Sequence, residues 1–137
     1  MRRLRFLAAI PGALPLSVAW ASCLHYGDPP VSLTGSVTLR THFGPPNYGE
    51  NPHTDSLETQ AILRLKEPIC VAADSSSYEP AETAQTQVTL VPLDGLDLEP
   101  YVGTKVEVSG TLFHAISGHH HTAVLITVAR KKDIRTR

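Results

Sequence analysis

Between residues 31 and 39 every second position is apolar or glycine. Val31, Leu33, Gly35, Val37 and Leu39 alternate with Ser32, Thr34, Ser36 and Thr38. Successive side chains of an extended strand point to opposite faces, so a period of two means one buried face and one wet face. A helix, whose apolar positions recur about every 3.6 residues, could not bury this pattern. A first strand is therefore predicted over residues 31–42, and the rest of the chain must supply its partners.

Three prolines and two glycines between Gly44 and Pro52 rule out regular pairing, so a long exposed loop follows. Ala61, Leu63 and Leu65 alternate with Ile62, Arg64 and Lys66. Pro68 then interrupts the run before Ile69-Cys70-Val71, which predicts a second strand with a bulge or bend. Residues 74–84 are polar and read as a loop. Residues 86–90 form a third strand, and residues 93–101 carry turn residues with room for one helical turn. Residues 105–114 and 120–129 form a closing hairpin. Five strands with one helical candidate between the third and fourth predict an all-β fold, a small five-stranded OB-like barrel, with another small β-barrel or a sandwich as the alternative. Such folds do not dictate a function.

The N-terminus reads as an export signal. Arg2, Arg3 and Arg5 precede an uncharged stretch over residues 6–18, and Ala19-x-Ala21 fits a signal peptidase site. The apolar run is shorter than the roughly 20 residues that span a bilayer, so no transmembrane segment is expected in the mature chain. Residues 1–21 are accordingly read as a signal peptide and residues 22–137 as one β-barrel domain with a basic C-terminal tail. The expected location is periplasmic or secreted. A cut before Cys23 would instead make a lipoprotein anchored there, although Trp20 suits that site poorly. Cys23 and Cys70 are the only cysteines, and an even count in an oxidising compartment predicts one disulfide.

Without the signal, 12 basic residues become 9 against 13 acidic ones, a net charge of −4. Five of those nine lie in the last eight residues, so residues 22–129 hold 4 basic and 12 acidic groups. An acidic body argues against nucleic acid as a partner, since a groove for phosphates needs clustered Lys and Arg. The tail reads as a solvated, frayed terminus.

The stretch GTLFHAISGHHHT over residues 110–122, with Pro68-Ile69-Cys70-Val71 and Gly44-Pro45-Pro46-Asn47-Tyr48-Gly49 upstream, resembles an uncharacterised family of small exported bacterial proteins. GTLFHA and HHHT are its signature, and Ser117 stands where the family is expected to have threonine. The resemblance is to a domain of unknown function and so implies no reaction.

Matching the apolar faces of the last two strands sets an expected register, with Val106 opposite Val128, Val108 opposite Ile126 and Gly110 opposite Val124. That register puts His114 opposite His120 on the inward face, turns His121 outward beside Phe113 and leaves His119 in the turn. Facing imidazoles could hold zinc, copper or nickel, given a third ligand from His25, His42, His53 or a carboxylate, and His114, His120 and His119 are the candidate ligands. The structural alternative is that His114 and His120 bond to loop backbone and fix the hairpin. No G-x-S-x-G elbow, H-E-x-x-H helix or glycine-rich phosphate loop is present, and no catalytic residue or cofactor is assigned. The expected function is a non-enzymatic binding module that engages a periplasmic protein or envelope ligand through its loops and histidine hairpin. A transition-metal-binding protein using His114 and His120 is the alternative.

Overall fold

The computed structural model describes residues 22–137. The expected signal peptide, residues 1–21, lies outside the described residues. Six strands follow one another as β1 (Gly27–Phe43), β2 (Leu57–Val71), β3 (Glu82–Pro92), β4 (Lys105–His114), β5 (Val124–Val128) and β6 (Ile134–Thr136). Short 3-10 turns at Glu99–Tyr101 and Lys131–Asp133 precede β4 and β6.

Strand order β1-β2-β3-β5-β4, with β4 also pairing β1, closes five strands into a ring. All neighbours are antiparallel except β3 and β5, which run parallel. This is the all-β, small barrel-like arrangement predicted, with its one helical turn between the third and fourth strands. The first strand is longer than expected and changes partner along its length: residues 31–36 pair β4 and residues 35–43 pair β2. Pro68 sits where the β2–β3 register shifts between Arg64 and Ile69, as a residue without a backbone donor requires.

The alternating positions point inward as read, except Leu39, which is 49% exposed. Val31, Leu33, Val37, Leu63, Val88, Val106, Val108, Leu112, Val124, Ile126 and Val128 form one core, joined by Tyr26, Leu98 and Tyr101. A second buried row lies on the opposite face of the sheet. Ile62, Thr89 and Leu125 are direct neighbours across β2, β3 and β5 and are all buried. The Cys23–Cys70 disulfide is formed, and Leu24 bridges to Val71 beside it.

The C-terminal tail differs from its expected frayed state. After the Lys131–Asp133 turn, β6 pairs β4 with Val108 opposite Ile134 and Val106 opposite Thr136. Ile134 is buried and Arg137 reaches Glu107. One apolar residue among five cations carries the docking.

That docking also explains why the β4–β5 register differs from expectation. β6 occupies the edge of β4 along residues 106–108, so β5 pairs farther along, with Leu112 opposite Ile126 and His114 opposite Val124. Both registers match the apolar faces. A slip by an even number of positions preserves every in-or-out assignment, so face matching alone cannot choose between them. Gly110 helps to select the observed one, because a Cβ there would run into the Thr127 carbonyl.

Candidate functional site

Two loops meet on one side of the ring. The β1–β2 loop, residues 44–56, is exposed as expected but is organised around one carboxylate. Asp55 accepts hydrogen bonds from the main-chain N–H groups of Asn47, Gly49 and Asn51 and from the Asn47 amide. Desolvation opposes ionisation of Asp55, yet these four bonds prevail and hold its pKa below the usual carboxylate value.

The β4–β5 loop, residues 115–123, carries the histidines. Ala115 N–H donates to the Ala123 carbonyl and His120 N–H to that of Ser117. Ile116 N–H donates to Nδ1 of His120, whose ring meets Phe113 edge-on at 5.5 Å. Burial, then His119 and His121, lower the His120 pKa. The Thr122 hydroxyl accepts from Thr89 N–H, lies 2.8 Å from the Thr89 hydroxyl and donates to the Val124 carbonyl. This ties the histidine loop over the buried outer row.

With His114 opposite Val124, His120 falls in the loop, and the expected cross-strand pair of His114 and His120 does not form. His114 is committed elsewhere. Its main-chain N–H donates to Glu79, its Nδ1 donates to the Ala115 carbonyl at 3.0 Å, and its Nε2 lies 2.7 Å from Glu82 Oε1. Tyr26 packs edge-on against the ring, at 6.3 Å between centroids. With both ring nitrogens engaged, His114 holds the hairpin end to Glu79 and to Glu82 at the start of β3.

His119 and His121 point to a different place. Glu58 Oε1 accepts from Nδ1 of His119 at 2.5 Å, Gln60 donates to the His119 carbonyl at 2.6 Å, and the Tyr48 hydroxyl lies 3.3 Å from His119 Nε2. Gly118 fits against the Tyr48 ring, which a Cβ would approach to 2.8 Å. His121, expected to face outward, is instead stacked on His42 with centroids 3.9 Å apart and planes 9° from parallel. Its side chain is only 16% exposed, because the loop folds back over the sheet rather than continuing β5. His42 has its pKa lowered by burial, by His121 and by Arg40, against the pull of Glu58. Of the other candidates, His25 bonds to the Pro29 carbonyl, and His53 lies exposed in the β1–β2 loop.

Residues 85–134 match the family model "Domain of unknown function (DUF4431)". The matched stretch contains GTLFHA and HHHT and extends from within β3 to the start of β6, so it covers the histidine loop and the strands that carry it. The upstream elements at residues 44–49 and 68–71 precede it. Comparison with curated proteins and with solved structures gave no match.

A groove of about 460 Å³ opens beside the joined loops. Leu39, Ala61, Leu90, Leu96 and Leu98 supply apolar walls, Thr59, Gln60 and Thr89 supply neutral polar groups, and His119 and His120 close one side. Asp97 and Glu99 are its carboxylates, and no Lys or Arg among the described residues lines it. Sequence reasoning missed Glu58 and Gln60, and gave Tyr48 no role beyond its place in the β1–β2 loop. One signal was available: pairing β1 with β2 across residues 43 and 57 puts His42 directly opposite Glu58.

Proposed function

We propose that the protein is a non-enzymatic binding module, periplasmic or secreted, that engages a protein or envelope ligand in the groove beside the β1–β2 and β4–β5 loops. The observation that carries this reading is the union of those loops through Tyr48, His119 and Glu58 at the edge of a groove of about 460 Å³. OB-like barrels bind on the β2–β3 face between these two loops. That analogy suggests the place, and the chemistry must come from the residues. Apolar walls with threonine, glutamine and two carboxylates suit a neutral or cationic ligand and disfavour phosphate-rich ones. Tyr48, Leu57 and Ile116, exposed by 42%, 67% and 82%, add apolar surface along the same loops. The disulfide and the export-like N-terminus support a location outside the cytoplasm.

The test is capture from envelope extract at several salt concentrations, followed by titration of the purified ligand. Ligand held by the parent and by Lys66→Glu, which is remote from the groove, but lost by Gln60→Arg and Leu96→Arg would support the reading. Capture that survives both groove substitutions, or none above background, would overturn it.

A further inference from the structure

We propose that Glu58, His121 and His42 form a binding site for a divalent transition ion of the zinc, copper or nickel class. The three side chains are mutual neighbours: His121 is near both of the others, and His42 and Glu58 are paired across the strands. His42 is the direct cross-strand partner of Glu58, an arrangement that brings Cβ atoms within about 4.5–5.5 Å on one face of the sheet. His42 stacks on His121 at 3.9 Å, and Nε2 of His121 lies 3.6 Å from Oε2 of Glu58.

That last distance is too long for a hydrogen bond. Glu58 Oε2, His121 Nε2 and Gln60 Oε1 are nevertheless all buried without a partner. A buried polar atom without a partner is costly, and two of these three atoms face each other across the proposed site. Two ligands of a tetrahedral ion, each bonded at about 2.0–2.1 Å, stand about 3.4 Å apart. Glu58 Oε2 and His121 Nε2 therefore need to shift by only a few tenths of an ångström to share one ion.

The surroundings act as an outer shell. His119 holds the other oxygen of Glu58, and Gln60 holds the His119 carbonyl, so the carboxylate is aimed before an ion arrives. Among the described residues, no three His, Cys, Asp or Glu side chains already converge on one point. The third ligand requires the His42 ring to leave the stack and present a nitrogen to the other two, with water completing the tetrahedron. Two imidazoles and one carboxylate suit zinc, copper or nickel, and not the all-oxygen preference of calcium or magnesium.

The site does not depend on ligand binding in the groove, although an ion here would tie β1 and β2 to the histidine loop. The test uses tag-free protein titrated with zinc, copper(II) and nickel against a chromophoric competitor. His121→Phe keeps a ring in the stack without a donor atom, and with Glu58→Gln and His42→Phe it should weaken binding by more than about 100-fold, beyond the usual cost of an outer-shell change. His114→Ala and His120→Ala should bind like the parent. Zinc added to the unmutated protein should move the ring signals of His42 and His121, a readout independent of how any variant folds. Equal affinity in the parent and His121→Phe, as expected if water fills the gap, would overturn the proposal. So would ring shifts centred on His114 or His120.

Discussion

Deleting residues 134–137 should destabilise the domain well beyond what a charged terminus would contribute. Ile134 is 6% exposed, opposite Val108 in the core. Burying such a side chain contributes about 1.5–3 kcal/mol. Removing β6 also strips the pairing from β4 along residues 106–108, which adds about 1 kcal/mol for each backbone bond lost. The pair between Arg137 and Glu107 adds little, because Arg137 is mostly exposed and such pairs are worth about 0–1 kcal/mol. A total of about 3–5 kcal/mol corresponds to a fall in Tm of about 10–20 °C in a domain of this size. Ile134→Ala alone should account for at least half of the loss, whereas Arg135→Ala should shift stability by less than about 0.5 kcal/mol. Urea unfolding and calorimetry on the three variants would measure this. A truncated protein melting within about 3 °C of the parent would show that the tail is frayed and that β6 contributes nothing.

Three further outcomes are expected. Burial, then Glu82 and Glu79, push the Tyr26 pKa up to about 12, so an unfolded tyrosine loses its proton near pH 10 while the folded one keeps it. The associated stability is complete below pH 10 and falls as pH rises to about 12, by up to about 2–3 kcal/mol; Tyr26→Phe should flatten that slope in pH-dependent unfolding, and an unchanged slope would refute the assignment. Replacing Cys23 and Cys70 together by alanine opens a link across 47 residues and should cost about 4 kcal/mol in the chain-entropy model, read from denaturant midpoints, while thiol titration of the denatured, unreduced parent should find no free thiol. Gly110→Ala drives a methyl into the Thr127 carbonyl and should cost about 1–3 kcal/mol, with loss of amide protection along β5 in hydrogen exchange; unchanged protection would show that the strands can part there at no cost.

The candidate site was only partly legible. GTLFHA and HHHT marked the loop that meets residues 44–56, and His42 stood among the histidines considered as a third ligand. Its partner proved to be His121 rather than His114, because the loop folds back over Ile62, Thr89 and Leu125 and is held there by Thr122. Glu58 carried no motif. Its importance comes from lying opposite His42 and beneath His119, and neither relation can be read along the chain.

The alternation from Val31 to Leu39, the proline and glycine loops and the paired cysteines were enough to determine an all-β domain, its inward-facing residues, the bend at Pro68 and the disulfide. These are local or combinatorial constraints: side-chain direction follows a period of two, proline lacks a donor, and two cysteines allow one bridge. Register, by contrast, was read wrongly: the expected pairing of Val106 with Val128 and of Val108 with Ile126 buries the same faces as the observed pairing of Leu112 with Ile126. Tertiary competition decided it, since β6 and β5 share one edge of β4 and Gly110 permits the close approach of the Thr127 carbonyl. That shift of position moved His120 off the strand, separated it from His114 and brought His121 to His42 and Glu58.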